Sequence, residues 1–127
     1  MKRARVYLIA SIIVLLSLSY IGYSYAVHSA NRISSQDAKD RLRKNEIDLI
    51  LDVRTDVERS SLGFYPGSVH IQSSDLELRM PREYPNKKIR ILSYCNTGHR
   101  ARLATDKLHA LGYKNAVYIS SSYGTLL

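Results

Sequence analysis

The sequence predicts an α/β domain with a mainly parallel central sheet flanked by helices, preceded by a hydrophobic N-terminal helix. Three observations predict it. The apolar runs "IDLILDV" and "KIRILSY" have the composition of strands buried on both faces. Polar stretches with helical patterning alternate with such runs, which argues for parallel pairing through helical crossovers. An uncharged stretch of 22 residues, Val6 to Val27, stands ahead of them all.

Lys2, Arg3 and Arg5 precede that stretch, the order of a basic region and an apolar region in a secretory leader. About 20 apolar residues also span a bilayer, and Ser24 and Ala26 form a small-x-small pair where a signal peptidase could cut. A cleaved signal peptide and an uncleaved anchor therefore both stand, with the length leaning toward the anchor. The basic flank directs the remainder outward. The expected organisation is residues 1–30 as anchor or signal peptide with a short polar linker, and one domain over 31–127. The expected location is periplasmic or otherwise extracytoplasmic.

The domain's elements follow in order. "SSQDAKDRLRKNE" reads as a short amphipathic helix, with Ser34 or Ser35 as cap and Asp37 at capping-box spacing from Ser34. "IDLILDV" is a strand. "TDVERSSLG" makes one helical turn and breaks at Gly63, and "YPG" is a turn. "SVHI" is a short strand, and "SSDLELRM" a helix opened by a serine cap and closed by Pro81. After the loop "REYPNK" comes the strand "KIRILSY". "NTGHRARLATDKLHALGY" turns into a helix with Leu103, Ala104, Leu108 and Leu111 on one face and Gly112 as its stop. "NAVYI" is the last strand.

The 97 residues from 31 to 127 suffice for one core. Three of the 19 basic residues belong to the leader, which leaves 16 against 11 acids, a net +5. That charge favours anionic partners, but the basic residues are scattered, with no nucleic-acid-binding signature and no zinc spacing. No metal or cofactor is implied. Cys95 is the only cysteine, so no internal disulfide can form, and a single thiol in an exported protein reads as a reactive group.

Ligands of open parallel sheets bind beyond the carboxyl ends of the strands, and Cys95 stands at such an end, before a turn and a helix N-terminus. Backbone N–H groups and the helix dipole there favour a thiolate. Gly98 lets the backbone curl round the sulfur, and His99 and Arg100 add positive or donor character. Inert burial is the competing reading of a free cysteine. The neighbours Asn96, Thr97, Gly98, His99 and Arg100 make a poor apolar environment and a good anion cradle.

On these residues the chain resembles the single-domain rhodaneses, sulfurtransferases, and among them the small exported phage-shock type. The resemblance runs from about Ile33 to Ile119. "ISSQDAKDRLRKNEIDLILDVR" is similar to the family's first helix and core strand, "DVRTDVERSSLGFYPGSVHI" to its Asp-x-Arg signature, and "YCNTGHRARLATDKLHALGYKNA" to its active-site loop and helix. The resemblance implies a rhodanese-like fold and two-step sulfur transfer. Cys95 would attack the sulfane sulfur of an anionic donor such as thiosulfate, and an external thiol or cyanide would take the sulfur from the persulfide. The amides of residues 96 to 100 would hold the persulfide anion, and Arg100 the donor. Asp52, Arg54 and Glu58 are expected to be structural, with Arg54 and Glu58 as an ion pair and Asp52 bonding loop backbone.

Three positions depart from the family pattern. Asn96 stands where many members carry arginine, Phe64 where histidine is frequent, and "SSSYGTLL" where a Gly-Gly turn and a further helix are common. A reduced terminal cover is expected. Two other readings stand beside sulfur transfer. One is a non-catalytic, membrane-tethered binding module. The other is a Cys-dependent phosphatase or arsenate reductase, although those need a longer loop than the four residues between Cys95 and Arg100.

Overall fold

The computed structural model describes residues 1–127. Its helices are α1 (Lys2–Val27), α2 (Ser35–Arg43), α3 (Asp56–Leu62), α4 (Leu76–Glu83) and α5 (His99–Ala110). Its strands are β1 (Leu49–Asp52), β2 (Val69–His70), β3 (Ile91–Tyr94) and β4 (Ala116–Tyr118). They form one four-stranded sheet of order β2-β1-β3-β4 with every pairing parallel. The central register sets Asp52 opposite Tyr94, so both strands end together at one edge of the sheet.

Both faces of the sheet are covered, as the apolar runs require. One core gathers Leu49, Leu51, Ile71, Leu76, Ile91 and Leu108; the other joins Ala38, Leu92, Tyr94, Ile119 and Leu126. Burying each such aliphatic side chain contributes about 1.5–3 kcal/mol. The terminal cover is a single 3-10 turn, Tyr123–Leu126, yet it seals the second core because Leu126 is buried.

Several local expectations hold. Ser34 caps α2 through Asp37 N–H, and Gly112, at φ 99°, ends α5 in the left-handed conformation that glycine tolerates. Others need correction. Pro81 lies inside α4, which runs on to Glu83, with Tyr84 N–H donating to Met80 O at 2.8 Å. Its serines form a 3-10 turn, Ser73–Asp75, and give α4 no side-chain cap. The helix after Thr55 spans seven residues, stabilised by a complete capping box with Glu58. Helix α5 packs through Ala101, Ala104, Thr105 and Leu108, an i, i+3, i+4, i+7 stripe that leaves Leu103 exposed. The linker pairs with the sheet edge: Ile33 N–H donates to Tyr118 O and Tyr118 N–H to Asn31 O.

Helix α1 is long and apolar enough to cross a membrane, and its most apolar window is unburied. Its C-terminal end packs on the domain, where Ala26 is buried.

Candidate active site

Strand β3 delivers Cys95 to the carboxyl edge of the sheet, and α5 begins four residues later. Between them the chain curls at Gly98, whose φ is 97°. This curl brings the Gly98 N–H to the Cys95 Sγ at 3.0 Å. A second demand also selects glycine: a Cβ here would lie 2.6 Å from Ser120 Cα and 3.4 Å from Ala26 Cβ. Gly98→Ala is expected to cost about 1–2 kcal/mol from the left-handed backbone alone, and more as the Ser120 backbone yields. Thermal unfolding of the variant against wild type checks this.

The sulfur is less open than an anion cradle requires. Cys95 is 1% exposed and joins the core beside Leu51, Val53 and Ala101. A single loop amide, that of Gly98, bonds it, in place of the several expected from residues 96 to 100. The rim of the loop is accessible, since Thr97 and His99 are exposed and Asn96 and Arg100 half-buried.

A polar chain holds that rim. The anticipated Arg54–Glu58 pair does not form. Arg54 turns inward onto Asp52, with Nε to Oδ1 at 2.9 Å and Nη2 to Oδ2 at 2.8 Å, because both side chains are fully buried at the end of β1 and need each other. Burial alone would raise the Asp52 carboxyl, but the bonds from Arg54 outweigh it and keep the group below its ordinary range. Asp52 also takes the Arg54 backbone N–H at 3.0 Å, the loop-bonding role expected of it. Tyr94 Oη and Arg59 complete its shell.

Glu58 belongs instead to Arg100, in a two-pronged pair with both distances 2.7 Å. Asn96 links the two pairs: Arg54 Nη1 donates to its Oδ1 at 3.3 Å, and its Nδ2 donates to Glu58 Oε1 at 3.0 Å. An arginine at position 96 would set a second cation against the Arg54 guanidinium, so asparagine suits this neighbourhood. Phe64 packs under the Arg59 guanidinium, 3.9 Å from its ring centre.

The Arg100 bonds, with those of Thr55, hold the Glu58 carboxyl down to about 2 from an ordinary value of 4.5. A carboxyl depressed in the folded state stabilises fully above its unfolded value, and that contribution disappears as pH falls through the folded one. The brace is therefore intact at neutral pH and lost between 4.5 and about 2. Glu58→Gln is expected to shrink the drop in urea midpoint between about pH 6 and about pH 3. Paired urea titrations read the difference, with the acid response of Asp48 common to both proteins.

Sequence reasoning missed the residues that reach this loop from afar. The Tyr25 ring lies against His99, with centroids 4.8 Å apart, and under the Arg102 guanidinium at 4.0 Å. Arg102 donates to Tyr25 O at 2.6 Å, and Tyr118 Oη to Ala26 O at 2.6 Å. Arg32 holds Ser120, behind Gly98, through its Oγ at 2.8 Å. No local spacing could reveal these contacts, which join residues 74 to 92 positions apart.

The profile of the rhodanese-like domain family matches residues 34–123. No curated protein matches the chain. Among solved structures, a human single-domain sulfurtransferase is 26% identical with a TM-score of 0.64, and the match covers 76% of this chain and 95% of that one. A Rhodopseudomonas palustris protein of unknown function, described as a possible tyrosine phosphatase, is 24% identical with a TM-score of 0.67, over 83% and 85% of the two chains. A thiosulfate sulfurtransferase from Pseudomonas aeruginosa shares the fold at 24% identity and a TM-score of 0.58, over 74% of this chain and 18% of that one.

Proposed function

This chain belongs to the rhodanese-like domain family, and on that premise we propose that it is a sulfurtransferase working through a persulfide on Cys95. The observation that carries the reading is the Gly98 N–H aimed at Cys95 Sγ, at the carboxyl edge of a parallel sheet and the N-terminus of α5. Family membership and the likeness to a human sulfurtransferase support the same class of chemistry.

In the first step the Cys95 thiolate attacks the outer sulfur of an anionic donor such as thiosulfate. A new S–S bond forms, the donor's S–S bond breaks, and sulfite leaves with the electron pair. An external thiolate, or cyanide, then attacks the outer sulfur of the persulfide and returns the electron pair to Sγ. Residues Asn96 to Arg100 supply the donor's surroundings, with the Gly98 amide stabilising the sulfur anion. Asp52, Arg54 and Glu58 position the loop through Asn96 and Arg100. Because Cys95 is 1% exposed, the donor reaches it when the loop lifts at Thr97 and His99.

We also propose that α1 stays attached as a membrane anchor with the domain on the extracytoplasmic side. Ala26 is buried and its carbonyl takes the Tyr118 hydroxyl, so cutting after Ala26 would sever a packed contact. The intact mass of the exported protein reports whether the first 26 residues remain.

Intact mass after incubation with thiosulfate tests the catalytic reading. Gain of one sulfur atom is expected in wild type and absent in Cys95→Ser. No gain in either would favour the second reading, a tethered binding module, which the burial of Cys95 supports. Hydrolysis of a chromogenic phosphate ester would favour the phosphatase alternative, against which the short Cys95–Arg100 loop stands.

A further inference from the structure

Helix α1 and the sulfur loop enclose a cleft of about 420 Å³ lined by Ser19, Gly22, Tyr23, Ala26, Thr97 and His99. One wall is the exposed apolar surface of α1; the other is the rim on either side of Gly98. Resting on the sulfurtransferase and membrane-anchor readings above, we propose that this cleft is the acceptor site and that it takes an amphiphilic thiol from the lipid surface.

The depth of the cleft supplies the argument. Val6 to Tyr25 is 20 residues, about 30 Å of helix, which matches the hydrocarbon thickness of a bilayer. Tyrosines concentrate where hydrocarbon meets headgroups. Tyr7 marks one end of this span, and Tyr20 and Tyr23 the other, all three exposed. Gly22 and Tyr23 line the cleft, so it opens at the headgroup level, and Ser19 lies about one turn deeper.

Tyr25 and Ala26 fix the loop to this end of the helix through His99, Arg102 and Tyr118. A water-soluble acceptor gains nothing from an apolar wall that descends into lipid. A thiol carrying an alkyl tail can lay the tail along α1 between Ser19 and Gly22 and present its sulfur to Cys95 when the loop lifts at Thr97 and His99. No atom lies within 4 Å of a Cβ built on Gly22, which leaves the tail its space. Transfer is then attack of that thiolate on the outer sulfur of the Cys95 persulfide. The Cys95 S–S bond breaks with its electron pair on Sγ, and an alkyl persulfide is released into the interface.

The test uses the full chain in lipid nanodiscs, loaded from thiosulfate, with N-acetylcysteine and N-octanoylcysteine as acceptors. The two share a thiol and a carboxylate and differ only in tail length. The longer acceptor is expected to show kcat/KM about tenfold higher. Gly22→Trp, which fills the cleft, is expected to bring that ratio within about twofold, and Ser19→Phe to do the same if the first variant fails to insert. Equal rates for the two acceptors in wild type, or an advantage that survives both substitutions, would overturn the proposal. Either result with normal sulfur loading leaves the sulfurtransferase reading standing. Absence of loading in wild type removes both.

Discussion

Replacing Arg54 with leucine is expected to lower the unfolding free energy by about 3–5 kcal/mol, the cost of breaking a buried ion pair from one side. Asp52 is fully buried, and Arg54 supplies three of its hydrogen bonds, one from the backbone. Without the guanidinium, the carboxylate keeps only the residue-54 backbone N–H, Arg59 and Tyr94. The Gly63 carbonyl, which takes Arg54 Nη2 at 2.6 Å, and Asn96 Oδ1 also lose their donor. Lysine should not rescue the variant, because a single ammonium cannot reproduce a planar fork that reaches Asp52, Gly63 and Asn96 together. Urea unfolding at neutral pH measures the loss. A loss below about 1 kcal/mol would mean that Arg59 takes over the pairing.

The second large effect is on turnover. Cys95→Ser is expected to reduce thiocyanate production from thiosulfate and cyanide by about four orders of magnitude or more, the scale on which losing a covalent nucleophile acts. A serine hydroxyl stays protonated near neutral pH and has no neighbouring base to activate it. The single Gly98 N–H facing this position cannot replace such a base. Fold should be little changed, since sulfur and oxygen differ modestly in size and the Gly98 N–H still finds an acceptor. Equal turnover in the two proteins would place the chemistry elsewhere. Alkylation of wild type by a small reagent adds a kinetic readout. With Cys95 1% exposed, modification should be slow and limited by opening of the loop.

The sheet was legible because its signal is local. "IDLILDV" and "KIRILSY" are apolar on both faces, and a strand buried on both faces must be. The position of Cys95 followed from the same reading, since a strand end and a helix start bracket it. Partner choice was not legible. Arg54 and Glu58 stand at helical spacing, which suggests a pair, but residue 54 precedes α3 and its side chain turns inward to a buried carboxylate. Glu58 was left to reach a cation 42 positions away. Pro81 misled for a related reason: a proline ends a helix when the lost donor matters, and here tertiary packing of Leu76 and Met80 carries α4 past it. The closing of the sulfur by core side chains and the contact of α1 with the loop arise only in three dimensions.

The all-parallel pairing also governs how the chain becomes a protein. Asp52 and Tyr94, partners in the central register, are separated by 42 residues, and no adjacent hairpin can form first to shorten the search. Loop closure must precede any reward from strand pairing, which places the domain among slow, non-local folders. A chain emerging from its amino end would have β1 apolar and paired only with the two residues of β2 until β3 arrives. The interval in which it can aggregate is set by the rate at which residues 53 to 94 emerge.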